Sequence, residues 1–249
     1  MDSIVLWFRS TDWIANALGI AGPLAVIGIW LWRRARSNLS RPRSFSALVK
    51  TRLPDPCPMS RLQEVARVAI VDDNVADFPV SGLRKAGFQI KTYKHVSVAD
   101  FDELSEYDVV FLDMHDIVRD DPTEGGLKLI RVLRQKNPRQ KICAVSGNQF
   151  NPSATAFFKL ADDALNKPMS AQRCVEVLEA FLKEKLDPEA LARFLDEPDR
   201  LPPGERRGAL EALARHLSQR KGKVDLNLAS TLQSDTRAAL LDLSRVLDS

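Results

Sequence analysis

Cysteine is scarce in this chain: Cys57, Cys143 and Cys174 are the only three among 249 residues. They are widely separated and show no CxxC spacing, which argues against a zinc site or a disulfide framework and leaves free thiols as the expectation. Histidine is as thin, and His95, His115 and His216 do not read as a metal-binding cluster. No internal repeat or low-complexity tract occurs. The C-terminal stretch 186–249 lacks a cationic excess, with eleven acids against ten lysines and arginines, and Phe194 is its only aromatic. DNA-binding output domains are usually basic on one face and single-strand readers stack bases on aromatics, so nucleic acid is not an expected partner. The same stretch is too short for a kinase, cyclase or phosphodiesterase.

What is present is ordinary globular usage: 45% hydrophobic and 28% charged residues, enough for one or two packed domains. The net charge of +3 is small but unevenly placed. Arg33, Arg34, Arg36, Arg41, Arg43, Lys50 and Arg52 give seven cations with no acid between them, leaving the remainder near 3 − 7 = −4. Just before them, Trp13 to Trp32 run for twenty residues without a charge. That is long enough to cross a hydrocarbon core of about 30 Å as a helix. Trp13, Trp30 and Trp32 sit at its ends, where indoles favour the interface, and Gly19, Gly22, Pro23 and Gly28 are tolerated in a membrane helix. The positive-inside bias then places residues 1–12 outside the cytoplasm and everything after Arg33 inside. A cleaved signal peptide is the rival reading, but the first residues lack a cationic cluster and the apolar run is too long for a typical one.

Residues 33–66 read as a juxtamembrane linker, basic at first and then interrupted by Pro54, Pro56 and Pro58, which prevent a continuous helix or central strand. The basic part would also suit anionic headgroups, although topology alone explains it. From Arg67 the pattern changes. "RVAIV" (67–71), "FQIKTY" (88–93), "DVVFLDM" (108–114), "KICAVSG" (141–147) and "DDALNKP" (162–168) are five strand candidates separated by stretches of helical length. That alternation predicts a parallel sheet with helices on both faces, and runs as apolar as "VVFL" suit strands buried on both sides. The spacing predicts helices with Leu129, Val132 and Leu133 on one face, and with Val175, Leu178 and Leu182 on another. Beyond 186, Leu210, Leu213 and Leu217, then Leu240, Leu243 and Leu247, mark short amphipathic helices. Such helices pack on the preceding domain, dimerise, or offer leucine stripes to another protein.

In an open parallel sheet, ligands bind beyond the carboxyl ends of the strands. Asp72 and Asp73 follow the first strand candidate, Asp113 ends the third, Ser146 the fourth, and Lys167 before Pro168 the fifth. Three carboxylates in one crevice repel one another, and a hard divalent cation such as Mg²⁺ relieves that. A bare metal site would not require Ser146 or Lys167. Phosphoryl transfer would, because spreading negative charge needs metal, cation and hydrogen-bond donor together. A carboxylate beside the metal can itself be the nucleophile, giving an aspartyl phosphate, and Asp113 is the candidate.

Taken in order, "AIVDDN", "VVFLDM", "AVSG" and "LADDALNKP" resemble the four signatures of the response-regulator receiver domain of two-component signalling, over residues 67–185. The resemblance implies an α/β fold: a flavodoxin-like, doubly wound, five-stranded parallel sheet, here preceded by a transmembrane helix (13–32) and followed by a helical extension (186–249). It implies that Asp113 accepts a phosphoryl group from a histidine kinase or phosphotransfer protein. Asp73, Asp113 and the backbone carbonyl of His115 would bind Mg²⁺, with Asp72 acting mostly through water. Ser146 would hydrogen-bond a phosphoryl oxygen, and Lys167 would pair with its charge from a cis-peptide corner. The expectation is a single-pass protein of a bacterial inner membrane whose cytoplasmic receiver signals through protein partners without turning over a diffusible substrate; homodimerisation is open.

Three features depart from or qualify the pattern. The loop "MHDIVRDDPTEGG" after Asp113 is longer than usual and holds Asp116, Asp120, Asp121 and Glu124, which read either as a solvated acidic loop or as a surface tuning metal or partner. Gly147 keeps the usual small residue after the hydroxyl, leaving room for a phosphodonor. Ala164 stands where family members often carry a mobile aromatic, so output is expected to run through the surrounding loop and helix. A phosphorylation-independent pseudo-receiver scaffold is the first alternative, and a Mg²⁺-dependent phosphatase or nuclease the second.

Overall fold

The computed structural model describes residues 43–53, 56–147, 152–219 and 233–248. The expected span 13–32 and its flanks up to Pro42 lie outside the described residues. Among the described residues, no helix is long and apolar enough to cross a membrane.

Five strands, β1 (Val68–Val71), β2 (Ile90–Tyr93), β3 (Val109–Asp113), β4 (Lys141–Ser146) and β5 (Asp163–Asn166), form one sheet in the order β2-β1-β3-β4-β5. All pairs are parallel, with Val71 opposite Leu112 and Ser146 opposite Asn166. This is the flavodoxin-like order, and its switch point falls between β1 and β3. Alternate residues leave opposite faces of a strand. Val68, Ile70, Val109, Phe111, Cys143 and Val145 therefore join one core, while Ala69, Val71, Val110, Leu112, Ile142 and Ala144 join the other. Burial on both faces is why these strands carry continuous apolar runs.

The second core is closed by α4 (Phe101–Leu104), α5 (Gly125–Lys136) and α6 (Pro152–Phe158), through Leu104, Leu129, Leu133 and Phe157. The first is covered by α3 (Val80–Lys85) and α7 (Ala171–Leu186), through Leu83, Leu178 and Leu182. It then continues outward into helices from both ends of the chain: α1 (Phe45–Arg52), α2 (Met59–Val65), α8 (Pro188–Asp196), α9 (Pro203–Gln219) and α10 (Ser234–Asp248).

This corrects the linker reading of 33–66 for its second half. The prolines do interrupt the chain, and Pro58 stands at the N-cap of α2, but both flanks fold. Phe45, Leu48 and Val49 of α1 and Leu62 of α2 are buried in the first core. The deciding partner is distant in sequence: Asp196 at the end of α8 accepts hydrogen bonds from the Phe45 and Ser46 N–H groups (2.9 and 3.0 Å) and from Ser46 Oγ (2.7 Å). A carboxylate there satisfies the orphan donors and the positive end of the helix dipole. Lys50 and Arg52, counted above with the basic run, are exposed on α1.

The leucine stripes of 186–249 are likewise used internally. Leu210, Leu213, Leu217, Leu240, Leu243 and Leu247 are all buried in the first core, so these stripes are not on offer to another protein. Burying each contributes about 1.5–3 kcal/mol relative to exposure.

An ionic cluster pins α10 to the N-terminal end of β3. Asp108, 1% exposed, accepts two hydrogen bonds from Arg245 (2.9 and 2.7 Å) and one from the Arg67 N–H (2.8 Å). Lys185, equally buried, donates to Asp242 (3.1 Å) and stands 3.6 Å from Asp108, while Arg245 also reaches Asp242 (2.7 Å). Burial alone would raise the Asp108 pKa, but pairing with Arg245 and the field of Lys185 more than offset it and hold the carboxyl below its ordinary value.

Candidate functional site

The crevice lies at the carboxyl ends of β1, β3, β4 and β5, where four strands stop within one turn of their last buried residue. Asp72, wholly buried, follows Val71 directly, and its Oδ1 accepts the Asn74 N–H (2.8 Å), which fixes its orientation. Asp73 next to it is exposed. Asp113 ends β3 and is mostly buried, with Oδ1 accepting the Met114 N–H (2.5 Å) and lying 3.4 Å from the His115 nitrogen. Ser146, also buried, ends β4, and its carbonyl accepts the Lys167 N–H (3.3 Å). The Lys167–Pro168 peptide is cis, as the resemblance implies.

From that corner Lys167 reaches both deep carboxylates. Its Nζ donates to Asp113 Oδ2 (2.5 Å) and lies 2.6 Å from Asp72 Oδ2. The contact with Asp72 is a close ion pair to a wholly buried carboxylate. Burial pushes the Asp72 pKa up, and Lys167 and the Asn74 N–H only partly counter it. Burial works against the Lys167 ammonium, but its contacts with Asp113 and Asp72 prevail and hold its pKa above the ordinary lysine value.

Carboxylate oxygens of Asp72, Asp73 and Asp113 lie within 4.8 Å of one another. An all-oxygen set of three carboxylates, with a single ammonium among them, fits a hard divalent cation such as Mg²⁺. The chain thus brings together Asp72, Asp73, Asp113 and Lys167 as expected, with His115 and Ser146 at the same strand ends. His115 contributes no side-chain metal ligand to this acid group.

Two positioning features were not anticipated in detail. The Gly125–Gly126 pair opens α5 directly against the strand end: a Cβ on Gly126 would stand 2.2 Å from the Met114 carbonyl oxygen, and one on Gly125 would stand 2.4 Å from Val118 Cβ. Only glycine permits this approach, which holds the segment after Asp113 in place. The long loop is also anchored, not merely solvated. Ile117 and Val118 are buried, Val118 bridges Val96, and the Val96 N–H donates to the Ile117 carbonyl (2.7 Å). Asp116 turns the chain with φ 56°, a left-handed conformation that aspartate tolerates. Asp116, Asp120 and Glu124 remain exposed, while Asp121 pairs with Lys128 (2.5 Å). A Cβ on Gly147 would meet nothing within 4 Å. Ala164 is exposed on the edge strand β5 and offers no ring to rotate.

No family model and no curated protein matches the chain. Among solved structures, it is similar to a CheY-like response regulator receiver domain protein from Methanospirillum hungatei JF-1, at 18% identity and TM-score 0.41, over 48% of this chain and 95% of that one. It is similar to a response regulator from Thermotoga maritima at 24% identity and TM-score 0.39, over 47% and 98%. A third is the receiver domain of a sensor histidine kinase from Pseudomonas aeruginosa PAO1, described with magnesium coordinated in its active-site cleft, at 18% identity and TM-score 0.40, over 47% and 98%.

Proposed function

We propose that this chain is a membrane-anchored receiver protein whose switch is phosphorylation of Asp113. The single observation that carries the reading is the Lys167 ammonium held between Asp113 and Asp72 beside a third carboxylate, Asp73, at one crevice. A structural ion pair needs one acid for one lysine; three acids, a lysine and a buried serine at four strand ends fit phosphoryl transfer.

In this reading an Asp113 carboxylate oxygen attacks the phosphorus of a phosphohistidine on a kinase or phosphotransfer protein. The new P–O bond forms as the P–N bond breaks, and the electron pair leaves with the imidazole nitrogen, which takes a proton from water. Asp72, Asp73, Asp113 and the main-chain oxygen of His115 would hold Mg²⁺, which when bound neutralises charge on the phosphoryl oxygens. Lys167 exchanges its contact with Asp113 for a phosphoryl oxygen, and the Ser146 hydroxyl donates to another. Water later attacks phosphorus, releasing phosphate and restoring the carboxylate. With Ala164 in place of a ring, the change at Asp113 passes to the loop 114–124 and α5, and the output is a protein contact and not turnover of a diffusible substrate. The span 13–32 would tether the domain to the cytoplasmic face of a bacterial inner membrane.

The test uses residues 43–249, because α1 belongs to the first core and a fragment beginning later would expose it. Incubated with Mg²⁺ and acetyl phosphate, the fragment should gain one phosphoryl group by intact mass, and Asp113→Ala should not. Beryllofluoride with Mg²⁺ should shift amide resonances around Asp113, Ser146 and Lys167. A folded fragment that shows neither response would sink the switch and leave a tethered scaffold.

A further inference from the structure

At the end of the sheet opposite Asp113, a groove of about 980 Å³ runs along the outer face of α10. One wall is α10 from Ser234 to Asp248; the other includes Glu106 and Lys136, and the floor is the Asp108–Arg245–Asp242–Lys185 cluster. Leu241 lines it midway and is 44% exposed, one of two large apolar side chains so exposed among the described residues. It is out of register with the inward stripe of Leu240, Leu243 and Leu247, so no contact within the first core accounts for it.

We propose that this groove is the interface of a homodimer, filled by α10 of a second copy packed antiparallel about a two-fold axis through Leu241. The occupant follows from the self-complementarity of the helix. Ser234 and Asp248 lie seven residues to either side of Leu241, about 10 Å along the axis each way at 1.5 Å per residue. A two-fold axis at Leu241 therefore sets the partner's Asp248 beside Ser234 at the first turn of α10. Within its own chain, Asp248 sits in the last helical turn, where the dipole disfavours an acid, and its near neighbour is the His216 ring at 3.6 Å. Beside the partner's first turn, the same carboxylate meets the favourable end of a dipole and the exposed guanidinium of Arg237. The contact occurs twice, once at each end, as an isologous interface requires.

The remaining cation on this face does not oppose the pairing. Arg245 would fall opposite Arg237 of the partner, but its charge is taken up by Asp108 and Asp242. One helix face is small beside the roughly 800 Å² per partner of a stable interface. In the proposed pairing each α10 also meets Glu106 and Lys136 on the opposite wall of the other's groove, which adds to the buried area. Nothing that points to this interface rests on phosphorylation of Asp113.

The full-length chain in mild detergent, followed by sedimentation over a concentration series, should behave as a dimer. Leu241→Asp, at an exposed position that leaves the fold intact by circular dichroism, should weaken dimerisation by about tenfold or more, on the order of 1.4 kcal/mol. Asp248→Arg should also weaken it, and the double change Arg237→Asp with Asp248→Arg should restore it. In a Cys57→Ser background, Leu241→Cys should form a disulfide-linked dimer on oxidation, while Arg207→Cys on α9 should not. A chain that is monomeric throughout, or a dimer indifferent to Leu241→Asp, overturns the proposal. A monomer whose Leu241→Cys thiol is shielded from a small maleimide would assign the groove to another stretch of the same chain, and overturns it equally.

Discussion

Replacing Arg245 with alanine tests whether the helical extension is fastened to the sheet by the Asp108 cluster. Breaking a buried pair from one side costs about 3–5 kcal/mol, because the remaining charge is left buried and uncompensated. Here Asp108 is 1% exposed, but it keeps the Arg67 N–H at 2.8 Å and Lys185 at 3.6 Å, and the Arg245 side chain is itself 26% exposed. The lower end, about 3 kcal/mol, is therefore expected, with a fall in Tm of about 6–12 °C for a fragment of this size. The pH dependence carries a sign. Asp108 is held below its ordinary value in the fold, so its contribution is present above the unfolded carboxyl pKa of about 3.9 and is lost as pH falls through the folded value. In Arg245→Ala that restraint is gone and burial raises the Asp108 pKa, so the difference between variant and parent should be full near pH 7 and shrink towards pH 3. Urea titrations of residues 43–249, read by circular dichroism at both pH values, measure it. A loss below about 1 kcal/mol at pH 7 would mean that the cluster merely fills space and that apolar packing of α10 does the fastening.

Three further outcomes follow from the same geometry. Lys167→Met removes an ammonium 2.6 Å from Asp72, so Mg²⁺ should bind the fragment several-fold more tightly by calorimetry, while beryllofluoride shifts at Ser146 disappear; weaker Mg²⁺ binding would contradict the competition between the two cations. Gly126→Ala places a methyl 2.2 Å from the Met114 carbonyl, and overpacking of this kind costs about 1–3 kcal/mol. Phosphorylation from acetyl phosphate should fall further than that loss of stability explains, because the displaced carbonyl directly follows Asp113; an unchanged rate would show that the strand end does not depend on α5. Asp196→Ala removes the carboxylate that accepts the first two N–H groups of α1 and should cost about 1–2 kcal/mol, with faster amide exchange at Phe45 and Ser46 but not at Ala47, whose N–H stays with Ser44 Oγ.

The site was legible in the sequence because each of its members is set by local pattern. Val68–Val71 is an apolar run followed directly by Asp72 and Val109–Asp113 one that ends on a carboxylate, and in a parallel sheet every such end faces the same edge. Four short motifs therefore define one crevice without knowledge of a single distant contact. The pieces attached to that domain follow a different logic. Residues 45–52 carry three buried apolar side chains among cations and stand beside a proline cluster, so taken alone they look like linker. What makes them a helix in the core is Asp196, about 150 residues away. The stripes from Leu210 to Leu247 announce burial correctly but do not name the surface that buries them, since a hydrophobic face has no address.

The ionic cluster shows the same limit from the side of charge. Asp108, Lys185, Asp242 and Arg245 each sit beside ordinary polar neighbours in the chain, and any one of them taken singly is expected to be solvated. Their burial becomes favourable only jointly, when α7, α10 and the start of β3 meet and Asp108 and Asp242 face Lys185, Arg245 and the nearby Arg139. That condition links the two ends of β3 in a definite way. The carboxyl end carries Asp113, the phosphoacceptor of the proposed function; the amino end lies beside Asp108, held by α7 and α10. β3 is the central strand, paired on both sides, and a shift at one end has no loop in which to dissipate before reaching the other. Under the proposed function, a shift of β3 on phosphorylation of Asp113 would reach Arg245 and the groove along α10 first among the elements beyond the five-stranded unit. Comparing amide exchange of α10 with and without beryllofluoride would therefore separate a rigid attachment, whose protection is unchanged, from a transmitted one, whose protection changes only when Arg245 is intact.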